Sequence, residues 1–297
     1  MSLSQRLTEV FGAAKEIPFD DASKFILFSD CHRGVNDWAD EFADNQNLFF
    51  HALGRYYADG FTYIEIGDGD ELWENRSFAD IRRAHSHVFW LMRNFHQENR
   101  LYLMWGNHDM ERQDAQQVRQ TLHHYRNERT GEIEPLFDGI QVHEGLILRH
   151  SGTDDKIFLV HGHQGDRLND RWWWLGRYLV RRYWRHLQLL GIKDPTRPAE
   201  NFVKRGQVEK AITDWVQANS QMTICGHTHR SVFPRVGDSP YFNTGSCVHP
   251  RCITGIEIEN GKITLIKWWY KPRPDGVMCI TKETIVAPQK LRSYFRR

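Results

Sequence analysis

The sequence predicts a layered α/β fold, one domain over residues 1–297 with a helical insertion at 167–220. Five short apolar runs, in KFILFSD, FTYIEIGD, LYLMWGN, KIFLVHG and MTICGH, each break off in a polar cluster, as a buried strand does where it enters a loop. Helical patterns lie between the early runs. In the second half, IQVHEGLILRH, ITGIEIE and KITLIKWWYK alternate or run in pairs around turn residues, which asks for a second sheet. A chain of 297 residues is long enough for one large core and short for two.

Along the chain, KFILF, FTYIEI and LYLM supply the first three strands, and helices are expected at about 37–59, 78–98 and 111–126. Asn260-Gly261, between ITGIEIE and KITLIK, is a strong hairpin signal. The stretch 167–220 separates KIFLVHG from MTICGH, and its Pro195 and Pro198 mark the break between two helices. Its first half, RWWWLGRYLVRRYWRHLQLLG, holds four tryptophans, and from Arg171 to Arg185 it has five arginines and no acid. Arg177, Arg181 and Arg185 stand four apart and so form one helical stripe. Beside it lies an apolar surface that includes Trp172, Trp173 and Trp184. The second half has its own apolar face, Val208, Ala211, Ile212, Trp215 and Val216, and the two are expected to pack as a helical hairpin. Aromatic helices usually just pack and arginine stripes usually just face water. The sharper expectation is a cap that covers a site and admits an apolar substrate or meets a membrane surface.

Lys+Arg 39 against Asp+Glu 38 leaves a net charge of +1, with 40% hydrophobic residues. That profile excludes a disordered or collagen-like chain and argues against a dedicated nucleic-acid binder, which would carry a basic excess. The opening run is interrupted by Arg6, Glu9, Lys15 and Glu16, unlike a signal peptide. No run approaches the roughly 18 apolar residues of a membrane span. Five cysteines without a CxxC pair fit neither a disulfide framework nor a thiolate zinc site, so a cytoplasmic location is expected.

The chemistry sits at the strand ends. They carry Asp30-Cys31-His32, Gly67-Asp68, Gly106-Asn107-His108-Asp109, His161-Gly162-His163 and Gly226-His227-Thr228-His229. Side chains at the carboxyl ends of neighbouring buried strands converge on one crevice, and residues two apart on an extended segment point the same way. Oxygen and imidazole donors without sulfur suit Mn, Fe, Zn or Co. Any one of these histidines alone would be an ordinary residue; five clusters in order at strand ends make a metal-binding constellation. Cys31 and Cys225 beside them read as small packing residues rather than nucleophiles.

The order D-x-H, GDxx[DE], GNH[DE], HG and GHTH over Asp30 to His229 resembles the calcineurin-like metallophosphoesterase superfamily. The resemblance implies two facing mixed sheets flanked by helices. It also implies two divalent metal ions, manganese foremost, with metal-assisted hydrolysis of a phosphomonoester, phosphodiester or pyrophosphate bond. Position by position, Asp30, His32 and His229 look like ligands of the first metal, Asp68 like the bridging carboxylate, and Asn107, His161 and His227 like ligands of the second. Asp70 also follows a glycine, but Asp68 stands directly at the end of YIEIG and places Glu71 at the second acidic position, from which it supports His108. His108 then serves the leaving oxygen as proton donor. Asp70 is expected to be a solvated loop charge, and His163 and Asp166 to lie at the rim or behind the ligands.

The helical insertion and the GDGDELW turn are similar to the UDP-2,3-diacylglucosamine hydrolase branch, which typically has arginine where this chain keeps His108. That likeness implies a small-molecule or lipid-linked phosphoester substrate. His163, Trp172, Trp173, Arg177 and Arg181 would contact it, with peripheral contact at the inner membrane face. Competing readings are a serine/threonine protein phosphatase-like enzyme, a double-strand-break-repair type nuclease and a retromer-type scaffold. Scaffolds on this fold tend to lose metal ligands, and every ligand position is filled here.

Overall fold

Period-2 alternation within the apolar runs decides the layering. The computed structural model describes residues 3–164 and 202–295. In order they form α1 (Leu3–Ala13), β1 (Lys15–Phe19), β2 (Phe25–Phe28), α2 (Gln46–Ala58), β3 (Thr62–Ile66), α3 (Phe78–Ala84), α4 (Ser86–Gln97), β4 (Leu101–Met104), α5 (Ala115–Leu122), β5 (His124–Arg126), β6 (Ile133–Pro135), β7 (Val142–His143), β8 (Gly145–His150) and β9 (Lys156–Val160). Then follow α6 (Phe202–Asn219), β10 (Met222–Cys225), β11 (Tyr241–Asn243), β12 (Cys252–Glu259), β13 (Lys262–Pro272) and β14 (Met278–Lys290). A seven-stranded sheet runs β14-β13-β12-β2-β3-β4-β7, a five-stranded sheet runs β1-β8-β9-β10-β11, and β5 pairs with β6 alone. Both large sheets are mixed: β2, β3, β4 and β7 are parallel, as are β9, β10 and β11, whereas β12 runs against β2 and β8 against β9.

Alternate residues of each buried strand face opposite ways. Leu27, Ile64, Ile66 and Met104 from one sheet meet Leu146, Leu148, Leu159 and Ile224 from the other in the central core. The outer partners, Ile26, Phe28, Tyr63 and Leu103, lie under α2 and α4 through Phe49, Leu53, Val88 and Phe95. Phe158, Val160 and Cys225 lie under α1 and α6. The result is helix, sheet, sheet and helix, as expected. No helix among the described residues is long and apolar enough to cross a membrane.

Several expected elements are shorter. Within 37–59 the helix proper starts only at Gln46, because Asp40 accepts from Asn36 N at 2.7 Å and Phe42 N at 3.0 Å, and such local bonds compete with helix. The 78–98 stretch is two helices meeting at His85, whose Nε2 lies 2.8 Å from Asp40 Oδ2. In 111–126, Asp114 caps α5 and the last residues turn into β5. Asn260 and Gly261 both have positive φ, 52° and 64°, the backbone of a tight hairpin turn.

The described residues include the C-terminal part of the expected insertion. Val208, Ile212, Trp215 and Val216 are buried against α1 and the five-stranded sheet, so this apolar face of α6 is part of the core, while the helix expected to pair with it lies outside the described residues. Trp215 Nε1 also donates to Thr8 on α1 at 3.0 Å. The earlier part of the insertion, with Trp172, Trp173, Arg177 and Arg181, lies outside the described residues, as does Asp166.

Candidate metal centre

The loops that leave β2 and β3 keep pairing after the strands end. Asp30 N donates to Gly67 O at 3.2 Å, His32 N to Asp68 O at 2.9 Å and Arg33 N to Gly69 O at 3.0 Å. This holds Asp30, His32 and Asp68 in a fixed register. The backbone is forced at the same place: of eleven non-glycine residues with positive φ among those described, five are Asp30 (52°), His32 (48°), Asp68 (50°), His227 (69°) and His229 (54°). Strained backbone of this kind collects at functional sites. Gly106 is needed for space, since a Cβ there would collide with the Asp68 carboxylate.

Three groups of potential donors result among the described residues, Asp30/His32/His229, Asp68/His161/His227 and His32/Glu71/His108, with candidate ligand atoms within 4.8 Å of one another in each. The first two are the donor groups made of residues expected as ligands, and the third joins His32 to Glu71 and His108. In the first, His32 Nε2 and His229 Nε2 are 3.2 Å apart, and His229 Nε2 is 3.2 Å from Asp30 Oδ1. In the second, His161 Nε2 is 3.1 Å from Asp68 Oδ2. That same Asp68 oxygen is 3.8 Å from His32 Nε2, so Asp68 reaches both groups.

The neighbours fix which nitrogen is offered. Glu71 Oε2 accepts from His32 Nδ1 at 3.0 Å, and Ile66 O accepts from His161 Nδ1 at 2.8 Å. Each ring, when neutral, therefore presents its Nε2 lone pair to the crevice. Asn107 Oδ1 is buried with no hydrogen-bond partner among the described residues. Carboxylates, imidazole nitrogens and an unsatisfied buried amide oxygen make a donor set that fits hard or borderline cations. Burial works against ionising Asp30, but His229 beside it outweighs that and holds the carboxyl low, at about 2. Glu71 is likewise kept well below the usual range by His108 and His32, against the pull of burial.

Glu71 and His108 lie next to the first donor group and touch each other. Glu71 Oε2 also accepts from His108 Nδ1 at 2.7 Å, so one carboxylate oxygen serves both His32 and His108. His108 is tied further by its N–H to Asp68 Oδ1 at 2.8 Å and by Trp73, which stacks on its ring with centroids 4.8 Å apart. His163 is fully buried behind His161, with ring centroids 5.5 Å apart, and rests against Trp105 at 5.3 Å rather than at an open rim.

Asp70 departs from expectation. It is 0% exposed, accepting from Arg33 at 2.7 Å and from Arg112, and is no solvated loop charge. Its oxygens are committed there, which leaves the first aspartate of GDGD to the crevice. Cys31 and Cys225 are buried, and burial pushes the Cys225 thiol up, as befits packing residues.

Sequence reasoning missed the supports of Asp30. Ser29 donates to its carboxylate, Thr244 lies 2.6 Å from Ser29 Oγ, and Ser246 donates to the Asp30 carbonyl at 3.1 Å. Nothing in TGS after β11 signals that role. Asp109 was visible as the last letter of GNHD. It accepts from Gly106 N at 2.6 Å and Gly69 N at 3.0 Å, and burial, with Asp68 adding to it, pushes its carboxyl up to about 7.

Comparison with known proteins places this arrangement. No curated protein matches the sequence. A solved structure, Vps29 from Chaetomium thermophilum, aligns over 90% of this chain and 97% of that chain, at 10% identity and a TM-score of 0.42. The family model for calcineurin-like phosphoesterases matches residues 23–231. That span is well over half of the chain and contains every donor of both groups, so the chain belongs to the calcineurin-like phosphoesterases.

Proposed function

We propose that this protein hydrolyses a phosphoester bond in a small or lipid-linked substrate with two divalent cations, manganese first among the candidates. One would be held by Asp30, His32 and His229, the other by Asn107, His161 and His227, with Asp68 shared. The observation that supports this most is the reach of one Asp68 oxygen toward His161 Nε2 at 3.1 Å and His32 Nε2 at 3.8 Å. Two cations bound there supply Lewis acidity, neutralising phosphoryl charge and making water a nucleophile near neutral pH.

The protein's own part is proton placement and orientation. Glu71, held as a carboxylate, takes the Nδ1–H of His108 and leaves Nε2 to pass a proton to the departing oxygen. Trp73 keeps that ring from turning. Burial of Asp30, Asp68 and His161 excludes water from the donors, which strengthens each electrostatic contact.

A panel of phosphomonoesters and phosphodiesters, each lipid acylated and deacylated, tests the reading with Mn²⁺-loaded against chelated protein. Hydrolysis that disappears on chelation and returns with Mn²⁺ is expected. Protein that binds Mn²⁺ and cleaves no member of the panel would sink it.

A further inference from the structure

Beneath the donor loops lies a second charged cluster that lends no atom to either donor group: Glu65, Arg33, Asp70 and Arg112, none more than 4% exposed. Arg33 follows His32 directly. Its guanidinium grips Glu65 in a fork, Nη1 to Oε2 at 2.7 Å and Nη2 to Oε1 at 2.8 Å, while Nε donates to Asp70 Oδ1 at 2.7 Å. The other Asp70 oxygen accepts from Arg112, and Tyr63 donates to Glu65 at 2.6 Å. Acid and base alternate, so the charges cancel within the chain of contacts. Its members come from three places: Arg33 from the loop after β2, Glu65 and Asp70 from β3 and its loop, Arg112 from the loop after β4.

We propose that Arg33 is a positioning residue of the metal centre, locking these three loops at the spacing where their donors converge. The activity arm of the proposal rests on the phosphoesterase reading; its metal-binding arm does not.

Stability alone does not ask for such a cluster, since buried ion pairs roughly break even against apolar residues of similar volume. The guanidinium lies against Phe89, 5.2 Å from the ring, in an otherwise apolar layer where a leucine or methionine would pack. What a planar fork adds is direction, because its donors fix the angle as well as the distance of each carboxylate. Gly69 supplies an independent sign. Its φ is not positive, yet a Cβ there would collide with the Glu65 carboxylate and the Arg33 guanidinium. The second glycine of GDGD thus makes room for the ion chain rather than for a turn. Asp109 clamps the same loops from the other side by accepting from Gly69 N and Gly106 N.

The test uses the full chain with Arg33→Lys, which keeps the charge and loses the fork, and Gly69→Ala, which pushes a methyl into the cluster. Mn²⁺ titration calorimetry, thermal unfolding and steady-state kinetics are read together. In folded Arg33→Lys, Mn²⁺ should bind about 10- to 100-fold more weakly, the loss typical when groups that orient ligands are replaced. kcat should fall in step while KM changes little, and Gly69→Ala should share the defect. Wild-type Mn²⁺ affinity and kcat in folded Arg33→Lys would overturn the proposal even if melting drops, since the cluster would then only support the fold. Should Arg33→Lys not fold, wild-type affinity and kcat in Gly69→Ala would overturn it equally. A wild-type protein that binds Mn²⁺ and hydrolyses no phosphoester would refute the activity reading alone, and the calorimetric comparison would still decide the role of Arg33.

Discussion

The two donor groups are oriented by different means. His32 is held by a carboxylate, Glu71, and its partner His229 keeps 15% of its side chain exposed. His161 is held by a backbone carbonyl, and Asp68, His161 and His227 are all buried. A carbonyl fixes the tautomer of an imidazole without adding charge, whereas a carboxylate also makes the ring a stronger base. The Glu71 oxygen that does this for His32 also serves His108. The first group therefore shares its orienting carboxylate with His108 and keeps one ring partly exposed, whereas the second takes its orientation from the backbone and is buried.

Removing what the groups share should have the largest effect. Asp68→Asn should lower metal content at both positions and take phosphoesterase activity to background, as measured by elemental analysis beside the substrate panel. An active Asp68→Asn protein, or one that loses a single cation, would show that the carboxylate is not common to both.

Next comes the residue outside both groups. His108→Ala should retain both cations and lose about 10²- to 10⁴-fold in kcat, the usual contribution of a positioned proton donor. If that variant comes out empty of metal, His108 is itself a ligand and the division between ligands and proton donor fails.

Glu71→Gln separates the groups. The glutamine oxygen still accepts one N–H but carries no charge, so binding at one position should weaken by about 10- to 100-fold while the other is spared. kcat should fall less than in His108→Ala. Two-site calorimetry showing equal weakening at both positions would erase the asymmetry.

The smallest effect lies outside either group and concerns pH. Burial pushes His143 on β7 down to about 4, against about 6.5 for an unfolded histidine. Between these values the unfolded chain binds the extra proton, so stability should fall as pH drops from 6.5 toward 4. His143→Gln should flatten the melting curve over that window by a few degrees. An unchanged slope would mean that His143 is solvated.

Most of the donor set was legible because each motif is contiguous and ends a strand whose apolar run is plain in the sequence. Asp70 was misread because its partners, Arg33 and Arg112, lie 37 and 42 residues away in the chain, and local polarity in GDGDELW gives no hint of them. The apolar face of α6 was visible, but periodicity says only that a face is buried, not against what. The edge strands β1 and β14 escaped notice for a related reason. Each carries a proline, Pro18 and Pro288, and β14 is mostly exposed, so neither shows a clean apolar run.

Anyone selecting variants of this chain for heat resistance would be led toward ones without the donor set. Left-handed backbone costs a residue with a side chain roughly 1–2 kcal/mol, and Asp30, His32, Asp68, His227 and His229 all adopt it. Glycine at any of them would relieve that strain, less what its looser unfolded chain takes back, while deleting a donor. Robustness and the donor set thus pull in opposite directions at five positions, and a screen on melting temperature alone would dismantle the cluster one residue at a time.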